Sequence, residues 1–210
     1  MIVLLAAILI AATTLAALRG LPTLAASNAV LMVAIPLLGM AGLTAGPLRV
    51  NAGALFFGAV QIGIVLKYRI FGRAEAVAAI PNILWGLATV FGAAFVIDQM
   101  GALPGWFALS ARIVAASFIG FGVSQLVLIL ALDRCGPSAA RAVMAIAAAQ
   151  ACDSVVFYPL AFGGVWTPDD LAAGALSGWV AKAAMGVMAW PALHYVRGAS
   201  RRHIGDARDG

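Results

Sequence analysis

The sequence predicts an all-α fold: a polytopic integral membrane helix bundle with six to seven transmembrane helices. Three observations predict it. Of the 210 residues, 64% are hydrophobic and only 10% are charged, against about 25% charged in soluble domains. The mean hydropathy is +1.04. Apolar runs of roughly 20 residues recur along the chain, each long enough to cross a membrane as a helix.

The elements follow in order. The first apolar run starts at Met1 with no basic stretch before it, so 1–18 reads as a short mature helix rather than a signal peptide. Further runs cover 24–45, 52–66, 76–97, 109–132, 142–163 and 171–195. The breaks hold Gly-Leu-Pro (20–22), Gly-Pro (46–47), Phe-Gly-Arg (71–73), Leu-Pro-Gly (103–105), Cys-Gly-Pro (135–137) and Thr-Pro-Asp-Asp (167–170), all turn signals. The count is seven, or six if the first run is not a full span. Asp169 and Asp170 read as N-cap and first-turn residues of the last helix. Alanine and glycine crowd the runs around Gly86–Ala94 and Ala145–Ala149, which lets helices approach closely in lipid. No internal repeat is strong enough to indicate inverted halves.

The domain reading is a single transmembrane domain over 1–196 and a short basic cytoplasmic tail over 197–210. Arg19, then Lys67, Arg69 and Arg73, then Arg134 and Arg141, then Arg197, Arg201, Arg202 and Arg208 fall on alternating connections and the tail. The opposite connections hold Arg49, Asp98, Asp169 and Asp170. The positive-inside rule then places the C-terminus in the cytoplasm and, with seven spans, the N-terminus outside.

Composition also excludes classes. The net charge of +5 is spread over connections and tail, with no basic face organised for phosphates, so nucleic acid is not an expected partner. Cys135 and Cys152 make neither a CxxC pair nor an expected disulfide, and no metal or cofactor is expected. HExxH, GxSxG and Gly-rich phosphate loops are absent, and His194 and His203 lie at the last helix end and in the tail, so the chain reads as no enzyme. A Ser–Lys dyad using Lys182 is the one catalytic arrangement left open.

Polar residues inside the runs mark the candidate site. Lys182 sits in an otherwise apolar helix, where a lysine costs at least about 2.5 kcal/mol and normally faces a partner or a watery cavity. Gln150, Asp153 and Ser154 are spaced i, i+3, i+4 and share a face. Asp153 is the only acid deep in any run. An ion pair with Lys182 or Arg112 and a role in ligand binding or proton coupling both account for it. Ser117, Ser124 and Gln125 share another face, suited equally to helix–helix hydrogen bonds and to ligand contact. Arg112, near an outer end, can snorkel to the interface. Trp179 and Lys182, at i and i+3, can present an aromatic face and a cation together, which suits a planar polar solute. Pro81 and Asn82 read as a local helix opening or cap. Trp190 reads as an interfacial anchor.

Several stretches resemble the VUT family, the vitamin uptake transporters that include the YhhQ-like queuosine-precursor transporters. Ala111-Arg-Ile-Val-Ala-Ala-Ser-Phe-Ile-Gly-Phe-Gly-Val-Ser-Gln125 resembles one of its signatures, Asp153-Ser-Val-Val-Phe-Tyr-Pro-Leu-Ala-Phe162 its next helix, and Lys182 the lysine of its last helix. Ala52-Gly-Ala-Leu-Phe-Phe57 and Arg69-Ile-Phe-Gly-Arg73 resemble an upstream block. The likeness runs from about residue 50 to 196. Two family carboxylates are replaced here by Val65 and Leu128. The resemblance implies a compact bundle similar to energy-coupling-factor S-components, acting without a dedicated ATPase. It implies import of a queuosine precursor, 7-cyano-7-deazaguanine or 7-aminomethyl-7-deazaguanine, across the bacterial inner membrane. Another vitamin or nucleobase substrate, or a substrate-binding subunit of an ATPase-driven importer, are the alternatives. The expected binding residues are Arg112, Ser124, Gln125, Gln150, Asp153, Phe157, Trp179 and Lys182. Asp153 would accept base N–H groups, Lys182 or Arg112 would donate to a carbonyl, and Trp179 or Phe157 would stack. The partners implied are that small molecule and the lipid bilayer, with homo-oligomerisation open.

Overall fold

The computed structural model describes residues 2–38, 42–45, 48–100, 111–136 and 138–196. These residues form seven α-helices: α1 Ile2–Leu18, α2 Leu21–Leu38, α3 Ala52–Phe71, α4 Arg73–Gln99, α5 Ala111–Cys135, α6 Ala139–Phe162 and α7 Pro168–Met188. Helical backbone resumes over 190–196, with Pro191 lacking a backbone N–H at the break. Among the described residues, five stretches are long and apolar enough to cross a membrane: Gly53–Phe71, Arg73–Ala93, Ala115–Cys135, Ala139–Phe162 and Pro168–Val196. Ile2–Leu18 and Leu21–Leu31 are shorter apolar helical stretches. The expected tail, 197–210, lies outside the described residues.

One expected span differs. The run 24–45 is helical up to Leu38, and its end, Gly42–Ala45, is strand β1, which pairs antiparallel with β2 (Leu48–Asn51), Gly42 opposite Asn51 and Ala45 opposite Leu48. Hydropathy alone extended the helix. Gly39, Gly42, Gly46 and Pro47 lower its helical preference, and the apolar residues among them serve a hairpin equally well.

The helix breaks follow from glycine. Gly72, at φ +95°, is the only residue between α3 and α4, and Gly136 adopts φ +76° directly after α5. Side chains with a Cβ rarely adopt this left-handed region. The N-cap of α7 is Thr167 rather than an aspartate: its Oγ1 accepts from Asp170 N at 3.2 Å and donates to Asp170 Oδ2 at 2.6 Å. Pro168 takes the first helical position, and Asp169 and Asp170 fill the first turn. Ser138 caps α6 through Arg141 N.

The bundle is organised around α3. Its spanning segment is 72% buried, against 44% for the next highest, and it packs on α1, α2, α4 and α7. Helices α5, α6 and α7 pack successively on one another, and α3 meets them chiefly through α7, with side-chain contacts to α5. Opposite faces of these helices carry large exposed apolar side chains, including Leu126 (61%), Met144 (68%), Val155 (67%) and Val187 (62%). Exposed apolar surface on this scale suits acyl chains, not water. Pro81 sits within a continuous α4, and Asn82 and Trp85 are exposed on it rather than turned inward. The chain is thus a polytopic membrane helix bundle.

Candidate functional site

The polar residues converge where α3, α5, α6 and α7 meet. Lys182 on α7 donates through Nζ to Asp153 Oδ2 on α6, and both side chains are buried, at 9% and 6% exposure. Lys182 Nζ also lies 5.0 Å from the centre of the Phe57 ring on α3, a cation–π contact. Phe57 meets Phe121 of α5 edge to face at 5.4 Å. Gly120 of α5 provides the space beside the acid: a Cβ there would stand 2.9 Å from Asp153 Oδ1 and 3.4 Å from Phe157 Cβ. Four helices therefore define the surroundings of one ion pair.

A second tier lies about one helical turn away, toward the basic ends of α3 and α5. Gln61 of α3 donates to Ser124 Oγ at 3.2 Å, and Ser124 donates to Phe121 O at 2.8 Å. Gln125 Nε2 reaches the same hydroxyl at 3.4 Å. Gln61, Ser124, Gln125 and Gln150 are fully buried, and Ser154 is 1% exposed. With Gly120 against Asp153 in an antiparallel helix pair, Ser124 and Gln150 come level. The contacts Phe57–Phe121, Gln61–Ser124 and Tyr68–Asp133 run in one direction along both helices, so α3 and α5 are parallel. Val65 and Leu128, both fully buried, occupy the turns between the last two contacts.

The other expected residues take different positions. Arg112 bonds through Nε to Leu160 O at 2.6 Å and through Nη2 to Gly163 O. Its guanidinium thereby satisfies the C-terminal carbonyls of α6, beginning about 10 Å along that helix from Asp153. Trp179 is half-buried and its indole N–H donates to Ala147 O at 2.9 Å, fastening α7 to α6. Phe157 is half-buried beside Gly120 and packs edge to face on Tyr158 (5.3 Å) and Phe162 (5.9 Å). Ser117 bonds back to Ile113 O at 2.8 Å, within its own helix. The structure brings together Asp153, Lys182 and Phe157 around Gly120, and Ser124 with Gln125 in the adjoining tier, with Gln150 buried on α6 at about the same level. It places Arg112 apart from both.

Sequence reasoning missed Phe57, Gln61 and Gly120. Gln61 carried a signal, being an amide in the middle of an apolar run. Phe57 and Gly120 stood inside family-like stretches, but their residue types did not single them out, since aromatic and small residues fill every span. Among the described residues no cluster of three or more His, Cys, Asp or Glu could hold a metal ion, and both cysteines are free. A groove of about 450 Å³ lies elsewhere, between α1 and the end of α7, lined by Ile10, Leu15, Met188 and Tyr195 among others. It opens on the exterior and its lining is almost wholly apolar.

A family model described as "Putative vitamin uptake transporter" matches residues 51–196. The chain belongs to this family. The match to the vitamin uptake transporters starts at the end of β2 and takes in α3 through α7, so it contains the ion pair and the whole amide tier. Helices α1 and α2 lie outside it. No curated protein and no solved structure matches the chain. Family and fold agree: this vitamin uptake transporter is a multi-pass membrane protein with lipid around it and a small molecule as substrate.

Proposed function

We propose that this chain imports a queuosine precursor, 7-cyano-7-deazaguanine or its aminomethyl relative, across the bacterial inner membrane. The carrying observation is the buried Asp153–Lys182 pair set against Phe57 inside the family-matched helices. Asp153 Oδ2 is committed to Lys182, which leaves Oδ1 to accept a base N–H. Phe157, half-buried next to Gly120, supplies an aromatic face. Trp179 holds α7 in register, and Arg112 holds the end of α6. The C-terminus lies in the cytoplasm on the charge distribution of the connections. No catalytic step belongs to this reading, nor does a partner ATPase.

The test is complementation. The protein is expressed in a bacterium unable to make or import queuosine precursors, supplied with 7-cyano-7-deazaguanine at low concentration, and queuosine in tRNA is measured. Restored modification, lost in Lys182→Ala at equal membrane expression, is the expected result. A well-expressed, inserted protein that restores nothing refutes the substrate. A second substrate, another vitamin or nucleobase, is favoured by one observation: Val65 and Leu128 place buried apolar groups where the resembling family carries acids.

A further inference from the structure

The amide tier is the least explained feature of the interior. Gln150 is fully buried, and neither its Oε1 nor its Nε2 has a hydrogen-bond partner. Gln61 Oε1, Gln125 Oε1 and Ser154 Oγ are likewise buried and unpartnered. Buried polar groups are nearly always bonded, and more so where no water is at hand. Asn28 is a different case. Its amide lies against Gly63 at the α2–α3 contact, on the other side of α3, and belongs to that packing. The unmet atoms of Gln61, Gln125, Gln150 and Ser154 come from α3, α5 and α6 and lie within about one helical turn of a common level along the bundle. Together they offer three amide acceptors, the N–H donors of Gln150 and one hydroxyl.

The charges beside them are already matched. Asp153 and Lys182 neutralise each other at one turn's distance, and Asp153 is the only acid deep in the spans. A cationic solute would find its carboxylate occupied, and an anionic solute its ammonium. A carboxamide presents a donor and an acceptor side by side, which matches the adjacent N–H and C=O of a lactam or the edge of an aminopyrimidine. We infer that Gln150, with Gln61 and Gln125, reads the hydrogen-bonding edge of an uncharged planar solute while Asp153 and Lys182 stay paired. This rests on the uptake reading above and narrows it. Of the two precursors, the neutral cyano compound fits and the aminomethyl compound, which carries an ammonium, does not. Gln61 becomes a specificity-determining residue because it alone brings α3 into the tier.

The test uses the full chain in lipid nanodiscs. Binding of 7-cyano-7-deazaguanine and of 7-aminomethyl-7-deazaguanine is measured for the wild type, Gln150→Met and Gln61→Met, with thermal melting of each in the absence of ligand. The expected results are three. The cyano compound binds about ten-fold or more tightly than the aminomethyl compound. Gln150→Met weakens cyano binding about ten-fold or more, the loss expected for a buried hydrogen-bonding group. Unliganded Gln150→Met melts at the same temperature or higher, because an apolar isostere removes an unmet amide. A marked fall in melting temperature would mean that the amide is bonded within the protein, and overturns the inference. So does unaltered cyano binding in both variants, or tighter binding of the aminomethyl compound by the wild type. Wild-type protein that binds neither compound refutes the uptake reading instead, and the unliganded melting of Gln150→Met still decides this one.

Discussion

Removing one member of the Asp153–Lys182 pair should damage stability far more than removing both. With side-chain exposures of 9% and 6%, neither group can turn to water without moving a helix. Lys182→Met leaves a buried carboxylate uncompensated, and Asp153→Leu leaves a buried ammonium with only the Phe57 ring for company. Loss of one partner of a buried pair costs about 3–5 kcal/mol. At about 2–4 °C per kcal/mol for a chain of this size, each single variant should melt roughly 6–20 °C lower. The Asp153 variant should fall at the mild end, because the cation–π contact offsets about 1–2 kcal/mol of the loss. The double variant Asp153→Leu/Lys182→Met packs two apolar side chains of similar reach and should recover most of the difference. The assay is thermal unfolding in one detergent, paired with uptake measured at equal membrane expression. All three variants should be inactive, so stability and transport come apart in the double variant. A double variant as unstable as the sum of the singles would show that the two residues are not coupled and refute the pairing. A double variant that transports normally would remove the pair from the site.

Three further outcomes are expected. Gly120→Ala places a Cβ 2.9 Å from Asp153 Oδ1, so uptake should fall and unfolding should register an overpacking cost of about 1–3 kcal/mol; wild-type uptake would show that the acid can move freely. Trp179→Phe keeps the ring but loses the bond to Ala147 O, which should cost about 0.5–1.5 kcal/mol in melting experiments and leave the uptake KM within two-fold, roughly the change from a few tenths of a kcal/mol. Arg112→Ala removes two bonds to the end of α6 and should lower the melting temperature, with Arg112→Lys restoring little because an ammonium cannot fork to two carbonyls; a large KM increase at unchanged melting would instead place Arg112 at the substrate.

The helices were legible because the bilayer leaves a chain few choices. Apolar runs, turn residues and alternating basic connections all point to one topology, and the departures are local. The hairpin at β1–β2 escaped notice because apolar strands and apolar helix ends have the same hydropathy. The site was half legible. Asp153 and Lys182 stood out as charges in hydrocarbon, and Gln150 stood out by sharing the face of Asp153. Their partner helix α3 was hidden, because Phe57 and Gln61 needed three-dimensional placement to become neighbours of Lys182 and Ser124. Arg112 is a different case: its charge near a helix end read as snorkelling and the family resemblance added a ligand role, while in the structure its guanidinium bonds the carbonyls that the end of α6 leaves unbonded.

Stability does not account for what lies between α3, α5, α6 and α7. Two apolar side chains would hold α6 to α7 at least as well as a buried ion pair does. Leucine or methionine at 61, 125 and 150 would spare the interior its unmet amides. The same helices already use the cheaper solution elsewhere: Leu66, Leu128, Leu132, Ile146 and Met185 fill adjoining turns, each less than 2% exposed. Among the described residues of these four helices the departure is concentrated in two successive turns, with Lys67 a further buried charge nearer the basic end of α3, and within those turns charge is balanced while hydrogen bonding is not. Local rules fail together where function requires it. A neutralised ion pair beside a tier of unmet amides is the pattern that the proposed recognition of an uncharged polar solute requires, and that packing alone does not.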